Sequence, residues 1–207
     1  MSTTLGPEHA RALEECLAAG GVALFPADTV YGLAADAQSE PAVARLYALK
    51  GRAPAKPAAI MVFELERALE LAGAGPGLTR ALRALLPGPV TVLVPNPAHR
   101  FPLACAGDPG TLGLRVPALS DRLAALGAVR TPLLQSSANH AGGPDPVRLS
   151  DVPPDIRAGV DLVVDGGPLP GVASTVVDLR RWETDGSRPV RRPGAVSEAE
   201  LERRLGA

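Results

Sequence analysis

Lysine is nearly missing from this 207-residue chain: of 21 basic residues only Lys50 and Lys56 are lysine, and the rest are arginine. Asparagine is as scarce, at Asn96 and Asn139, and aromatic residues make up 3%. So few rings leave little for unpaired bases to stack on, which weighs against a dedicated single-strand RNA-binding module. Cys16 and Cys105 lie far apart, and neither sits in a Cys-x-x-Cys pair. That gives little support to a disulfide scaffold or a zinc ribbon and predicts two free thiols in a reducing cytoplasm. No apolar run approaches the ~20 residues that a membrane span needs, and Glu14 and Glu15 interrupt the first one, so neither a secretory signal nor a membrane partner is expected. Net charge is −1, so affinity for a polyanion has to come from a local cluster.

Familiar catalytic grammar is also absent. There is no Gly-x-Ser-x-Gly elbow, no Cys-His pair at a known spacing, no phosphate loop of the Gly-x-x-x-x-Gly-Lys-Ser/Thr type, and no Gly-x-Gly-x-x-Gly opening a helix. His9, His99 and His140 have no metal-binding spacing, so no protein-held metal is expected and His140 is read as a surface residue.

What remains is apolar and turn-rich. Hydrophobic residues make up 46%, with 22 glycines and 22 prolines. Residues 1–207 are read as a single α/β domain, its core at about 10–196. The spacing predicts helices from Pro7 to Gly20-Gly21, over Glu40–Lys50 with Ser39 as cap and Gly51 as stop, near 64–72, 77–86 and 119–126, and from Ser197 to Leu205. Strands are expected at Val22–Phe25, Thr29–Leu33, Ala58–Phe63, Val90–Val94, Leu112–Val116, Leu133–Gln135, Asp161–Asp165, Thr175–Leu179 and Pro189–Arg192. Residues 143–155 read as a long ordered loop. Irregular alternation of this kind argues for a twisted mixed sheet flanked by helices, not a doubly wound one.

Two segments carry the chemistry. Val43, Leu46 and Tyr47 form a core-facing stripe, and Lys50 falls on the same face at i+7. The plain reading is a lysine that snorkels or caps its helix. However, Lys50-Gly-Arg52-x-x-x-Lys56 places three cations in one loop with no acid among them. Unpaired like charges repel, so an anion such as a polyphosphate is the natural partner. The second segment, Ser136-Ser137-Ala-Asn139-His140-Ala-Gly142-Gly143, follows an apolar strand. It reads either as a plain turn or as a polar, backbone-lined ligand site.

Seven blocks in fixed order resemble the threonylcarbamoyl-adenylate synthases of the YrdC/Sua5 family over roughly residues 10–196. They are Pro26-Ala-Asp28-Thr29-Val-Tyr-Gly-Leu33, Lys50-Gly-Arg52, Pro87-Gly-Pro-Val-Thr91, Thr111-Leu-Gly-Leu-Arg115-Val-Pro117, Ser137-Ala-Asn139, Ser174-Thr-Val-Val-Asp178 and Arg192-Pro-Gly-Ala195. The resemblance implies a YrdC-like α/β sheet with a concave basic cavity. It implies a nucleotidyltransferase that joins L-threonine, bicarbonate and ATP into threonylcarbamoyl-AMP and pyrophosphate, for N6-threonylcarbamoyladenosine in transfer RNA. Lys50, Arg52 and Lys56 would grip the phosphates, with Lys50 and Arg52 catalytic, and Thr111, Ser137, Asn139, Asp145 and Arg192 would complete the ATP site. Thr29, Met61, Arg115, Gln135 and Ser174 would hold threonine. Magnesium is expected with ATP, and the tRNA threonylcarbamoyl-transfer machinery and transient RNA contact are expected partners.

The chain departs from the family pattern at Ala27, at Met61, at Gln135 and in the His140-Ala-Gly-Gly run. Because it stops near 207, the C-terminal domain of longer Sua5 forms is expected to be absent. Three rival readings are a non-catalytic RNA- or nucleotide-binding module, a carbamoyl-transfer domain like that of larger hydrogenase-maturation proteins, and a related paralogue group. The last tends to lose the Lys-x-Arg and Ser-x-Asn set that is intact here.

Overall fold

A computed structural model describes residues 4–53 and 56–206; the expected domain bounds at 1 and 207 lie outside them, as do two residues of the loop between Arg52 and Lys56. The short apolar runs pair into one nine-stranded sheet. Across it lie Leu162–Val163 (β7), Ala23–Pro26 (β1), Tyr31–Asp36 (β2), Leu133–Ser137 (β6), Ala59–Met61 (β3), Thr111–Arg115 (β5), Val90–Pro95 (β4), Thr175–Asp178 (β8) and Val190–Arg192 (β9). β1–β7, β3–β5 and β4–β8 are parallel, and the other neighbours are antiparallel. The sheet is therefore mixed, as the irregular spacing predicted.

Alternation along the central strands separates two faces. In β4 and β5, Val92, Val94, Leu112 and Leu114 are fully buried in the core. The intervening Thr91, Leu93, Thr111, Gly113 and Arg115 line a concave opposite face. Helices at Pro7–Ala18 (α1), Glu40–Leu49 (α2), Leu65–Ala72 (α3) and Pro76–Leu85 (α4) present apolar stripes to the core, for example Leu13 and Leu17, Leu46 and Tyr47, Leu78 and Leu82. Glu198–Leu205 (α8) closes the chain behind its cap Ser197, which accepts from the Glu200 amide. No helix of the described residues is long and apolar enough to cross a membrane.

Differences from the sequence reading have local causes. The segment Asp121–Ala128 is a 3-10 helix, not an α-helix; its buried residues Leu123 and Leu126 are three apart, which matches three residues per turn. The strand expected from Thr29 begins at Tyr31 because the Ala27 amide donates to Val30 O in a turn, leaving Thr29 to face Arg115. The strand expected at Asp161–Asp165 shrinks to two residues. Asp161 instead accepts from the Val22 amide and from Arg45, and Asp165 accepts from Tyr31. The expected loop over 143–155 gives way at Pro154 to a helix, Pro154–Gly159 (α6), whose proline needs no amide partner in the first turn. Two four-residue helices, Pro102–Cys105 (α5) and Trp182–Asp185 (α7), carry no periodic signal.

Candidate active site

A cavity of about 390 Å³ opens over β6, β3, β5, β4 and β8. Its lining holds four arginines, Arg52, Arg115, Arg180 and Arg192, against one acid, Asp108. Short side chains at Ala59 and Gly113 leave room between strands that are otherwise close-packed.

Arg115 ends β5 and is almost fully buried, at 3% exposure. One terminal nitrogen, Nη2, donates to Asp28 Oδ1 at 2.5 Å and to Thr29 Oγ1 at 2.6 Å. Asp28 is fixed in turn by the Ala118 amide at 3.0 Å. The Arg115 Nε is buried without a partner. A buried donor left without a partner costs about 1–3 kcal/mol. Nearby, Arg192 Nη2 donates to Ser174 O at 2.7 Å and to Ser174 Oγ at 3.1 Å, and Ser174 Oγ shares a proton with Thr91 Oγ1 at 2.9 Å. Burial pulls the Arg192 guanidinium below its ordinary value, while Asp145 pushes it back up.

Arg52 lies over the Tyr47 ring, 5.7 Å from its centroid, and donates to Pro57 O at 2.5 Å; its Nε is also buried and unpaired. Lys50, the last residue of the α2 stripe, turns inward and is 2% exposed. Its ammonium donates to Asn139 O at 2.7 Å, to Asn139 Oδ1 at 3.1 Å and to Ser137 O. Ser137 Oγ donates to the same Asn139 Oδ1 at 2.6 Å. Burial pushes the Lys50 ammonium down to about 8, helped by Arg52 and opposed by Asp145.

A family model described as telomere recombination, spanning Sua5, YciO and YrdC proteins, matches residues 15–194. The chain belongs to this Sua5/YciO/YrdC family. It is 34% identical over 190 residues to a threonylcarbamoyl-AMP synthase of Pyrococcus abyssi, covering 90% of this chain and 54% of that protein. It is 36% identical over 171 residues to one of Chromohalobacter salexigens, covering 80% of this chain and 89% of that protein. The chain spans about half the length of the Pyrococcus abyssi and Bacillus subtilis relatives. The solved Sua5 of Pyrococcus abyssi complexed with L-threonine superposes with a TM-score of 0.83 at 30% identity, over 98% of this chain and 58% of that one. Escherichia coli YciO, at 21% identity and a TM-score of 0.81 over 97% of this chain and 96% of that one, shares the fold.

Of the residues singled out in this family member, Arg52, Thr111, Arg115, Gln135, Ser137, Ser174 and Arg192 line one cavity. Thr29 stands behind Arg115, and Asn139 stands behind Ser137. Met61 is fully buried, paired in the sheet with Arg115 and Leu133, and is not part of the lining. Lys56 is exposed and also off the lining, while Asp145 acts through its charge on Lys50 and Arg192. Lys50 was expected on the phosphates, but it lies beneath the cavity with its donors committed to three protein oxygens. His140 is exposed beside Asp155, at 3.2 Å.

Sequence reasoning missed four residues. Thr91 and Asp28 stood inside recognised blocks without a role. Asp108 and Arg180 stood outside every chemical motif, and their partnership spans 72 positions, which no local pattern reveals.

Proposed function

We propose that the chain makes threonylcarbamoyl-AMP from L-threonine, bicarbonate and ATP, releasing pyrophosphate, as the first step toward N6-threonylcarbamoyladenosine in transfer RNA. One observation carries this reading: Arg115, a buried cation with an unpaired Nε, shares a cavity with Arg52 and Arg192. A guanidinium matches a carboxylate in bidentate fashion, so Arg115 takes the amino acid's carboxylate. Arg52 and Arg192 then face the phosphates. The family membership and the names of the relatives support the same assignment.

Threonine's amine attacks bicarbonate carbon, water leaves, and an N-carboxylate results. A carbamate oxygen then attacks the α-phosphorus as the bond to pyrophosphate breaks. Nucleophile and phosphates are all anionic, so the barrier is mainly electrostatic. Pre-placed cations lower it, each worth roughly 3–4 kcal/mol by analogy with removal of one oxyanion-hole donor. Holding the carbamate in line with phosphorus supplies the entropic part. Lys50 serves indirectly by fixing the Ser137–Asn139 turn; Lys56 is assigned to the phosphates from outside the cavity lining.

Magnesium bound to ATP would supply screening of the phosphate charge that Arg52 and Arg192 face. Transfer RNA contact and hand-over to a threonylcarbamoyl transferase, in the cytoplasm, belong to the same proposal.

The test is pyrophosphate release with threonine and bicarbonate withheld in turn. Release that requires both, and that falls at least 100-fold in Arg115→Ala, supports the synthase. ATP binding with no release under any combination returns the chain to a nucleotide-binding module.

A further inference from the structure

Asp108 is out of place in a cavity built for anions. It is the one acid among the described lining residues, facing four arginines. It is also built in: its Oδ2 accepts from Thr111 Oγ1 at 2.6 Å and from Arg180 Nη1 at 3.3 Å. Arg180 is itself immobilised, with Nε and Nη2 donating to the Asp178 oxygens at 2.9 and 2.6 Å, and Nη1 donating to Thr111 Oγ1 at 3.0 Å. Asp178 is bound a second time by Arg191, at 2.7 Å. Two groups thus hold the carboxylate at the cavity edge, and Asp178 holds one of them.

A fixed carboxylate repels a phosphate chain, so the phosphates lie away from it. Thr111 and Arg115 begin and end β5, four residues apart, which at ~3.3 Å per residue separates them by about 13 Å. One end of the cavity is therefore Arg115 with Thr91 and Ser174, and suits a small zwitterion. The other is Thr111 with Asp108 and Arg180, and suits an uncharged group that carries hydrogen-bond donors.

We infer that Asp108 is a specificity-determining residue for the nucleoside end of the nucleotide, accepting hydrogen bonds from its neutral donors, with Arg180 as the positioning residue that aims it. This deepens the synthase reading and rests on it for the identity of the nucleotide. It gives the bound nucleotide a direction: nucleoside over Asp108, α-phosphate mid-cavity, amino acid at Arg115. The donors on offer are the ribose hydroxyls and the exocyclic amine of the base, one chemistry from two sources.

The experiment compares wild type with Asp108→Ala, Asp108→Asn and Arg180→Ala, using ATP, 2′-deoxy-ATP, inosine triphosphate and inorganic tripolyphosphate. Asp108 is 60% exposed, so its variants are expected to fold, with circular dichroism as the check. Asp108→Ala should raise the ATP KM roughly 10- to 100-fold, the span of a hydrogen bond to a charged group, and leave the threonine KM in place. Asp108→Asn, which keeps a carbonyl acceptor, should fall between. Arg180→Ala should follow Asp108→Ala in direction. Inhibition by tripolyphosphate should be unchanged or stronger without the carboxylate. Lost discrimination against 2′-deoxy-ATP identifies the ribose as the donor, and lost discrimination against inosine triphosphate identifies the amine. An unchanged ATP KM in Asp108→Ala, or equal weakening of ATP and tripolyphosphate, overturns the inference. Should wild type release no pyrophosphate, the synthase reading falls by itself. Calorimetric binding of ATP against tripolyphosphate to the same variants still decides the role of Asp108.

Discussion

Lys50 and Asn139, 89 positions apart, are joined twice: the ammonium donates to the Asn139 carbonyl oxygen at 2.7 Å and to its side-chain oxygen at 3.1 Å. The ammonium is held at about 8, below the ordinary lysine value of 10.5, mainly by burial. Between those two values the unfolded chain binds the proton more fully than the folded one. Stability therefore rises with pH across that window and is flat with respect to this group below it. Lys50→Met has no such proton and takes the ammonium donor from Ser137 O and Asn139 O, while Asn139 Oδ1 keeps Ser137 Oγ; the loss costs about 3 kcal/mol. Urea unfolding at pH 7, 9 and 10 should show wild type gaining on Lys50→Met as pH rises. A constant gap rejects this account of Lys50.

Arg115 and Asp28 form an ion pair in which both side chains are under 5% exposed. Asp28→Ala leaves a buried guanidinium without its carboxylate, and loss of one partner of such a pair costs about 3–5 kcal/mol. Asp28→Asn keeps an acceptor and should cost less. Denaturant midpoints of the two variants, together with their threonine KM, check the order. Equal losses would mean that the charge of Asp28, not the acceptor that asparagine keeps, carries the whole effect.

Gly194 touches backbone that cannot give way. A Cβ there would sit 2.4 Å from Ala173 O and 2.6 Å from Ser174 C and Thr175 N. Gly194→Ala should destabilise by about 2 kcal/mol. For a chain of this size that is a Tm loss of about 4–8 °C. Since Ser174 must shift, the threonine KM should rise more than the ATP KM. A melting curve and two substrate titrations suffice.

Ala106 sits at φ 52° and ψ −122°, a region that suits glycine, in a turn where the Asp108 amide donates to Cys105 O at 3.2 Å. Such strain costs of the order of 1–3 kcal/mol. Ala106→Gly relieves it and gives back part of the gain as unfolded-chain entropy. The expected net effect is about 1 kcal/mol of added stability, read from the urea midpoint. A loss of stability would show that the turn carries no strain.

Much of the architecture was legible because its causes are local. Ser39 accepts from the Ala42 amide at 3.4 Å, and Gly51 at φ 57° stops the same helix, so both ends of α2 were readable from single residues. Leu112 and Leu114 alternating with Thr111, Gly113 and Arg115 announced a strand with one core face. The short helix Pro102–Cys105 was not legible. Four residues give no period, and its start depends on Phe101 adopting φ 51° in the folded chain.

The same division runs through the site. The amino-acid sequence determined most of the elements, the mixed character of the sheet, and the clustering of Lys50, Arg52 and Lys56 in one loop, because propensity, caps and alternation act over a few residues. Tertiary structure decided which cations line the cavity. Lys50 is drawn under the cavity by oxygens from β6 and the turn after it, while Arg180 is steered to the cavity edge by Asp178 and joined there to Asp108. A long charged side chain has many rotamers of similar energy. Its direction is chosen by partners that only the folded chain brings within reach.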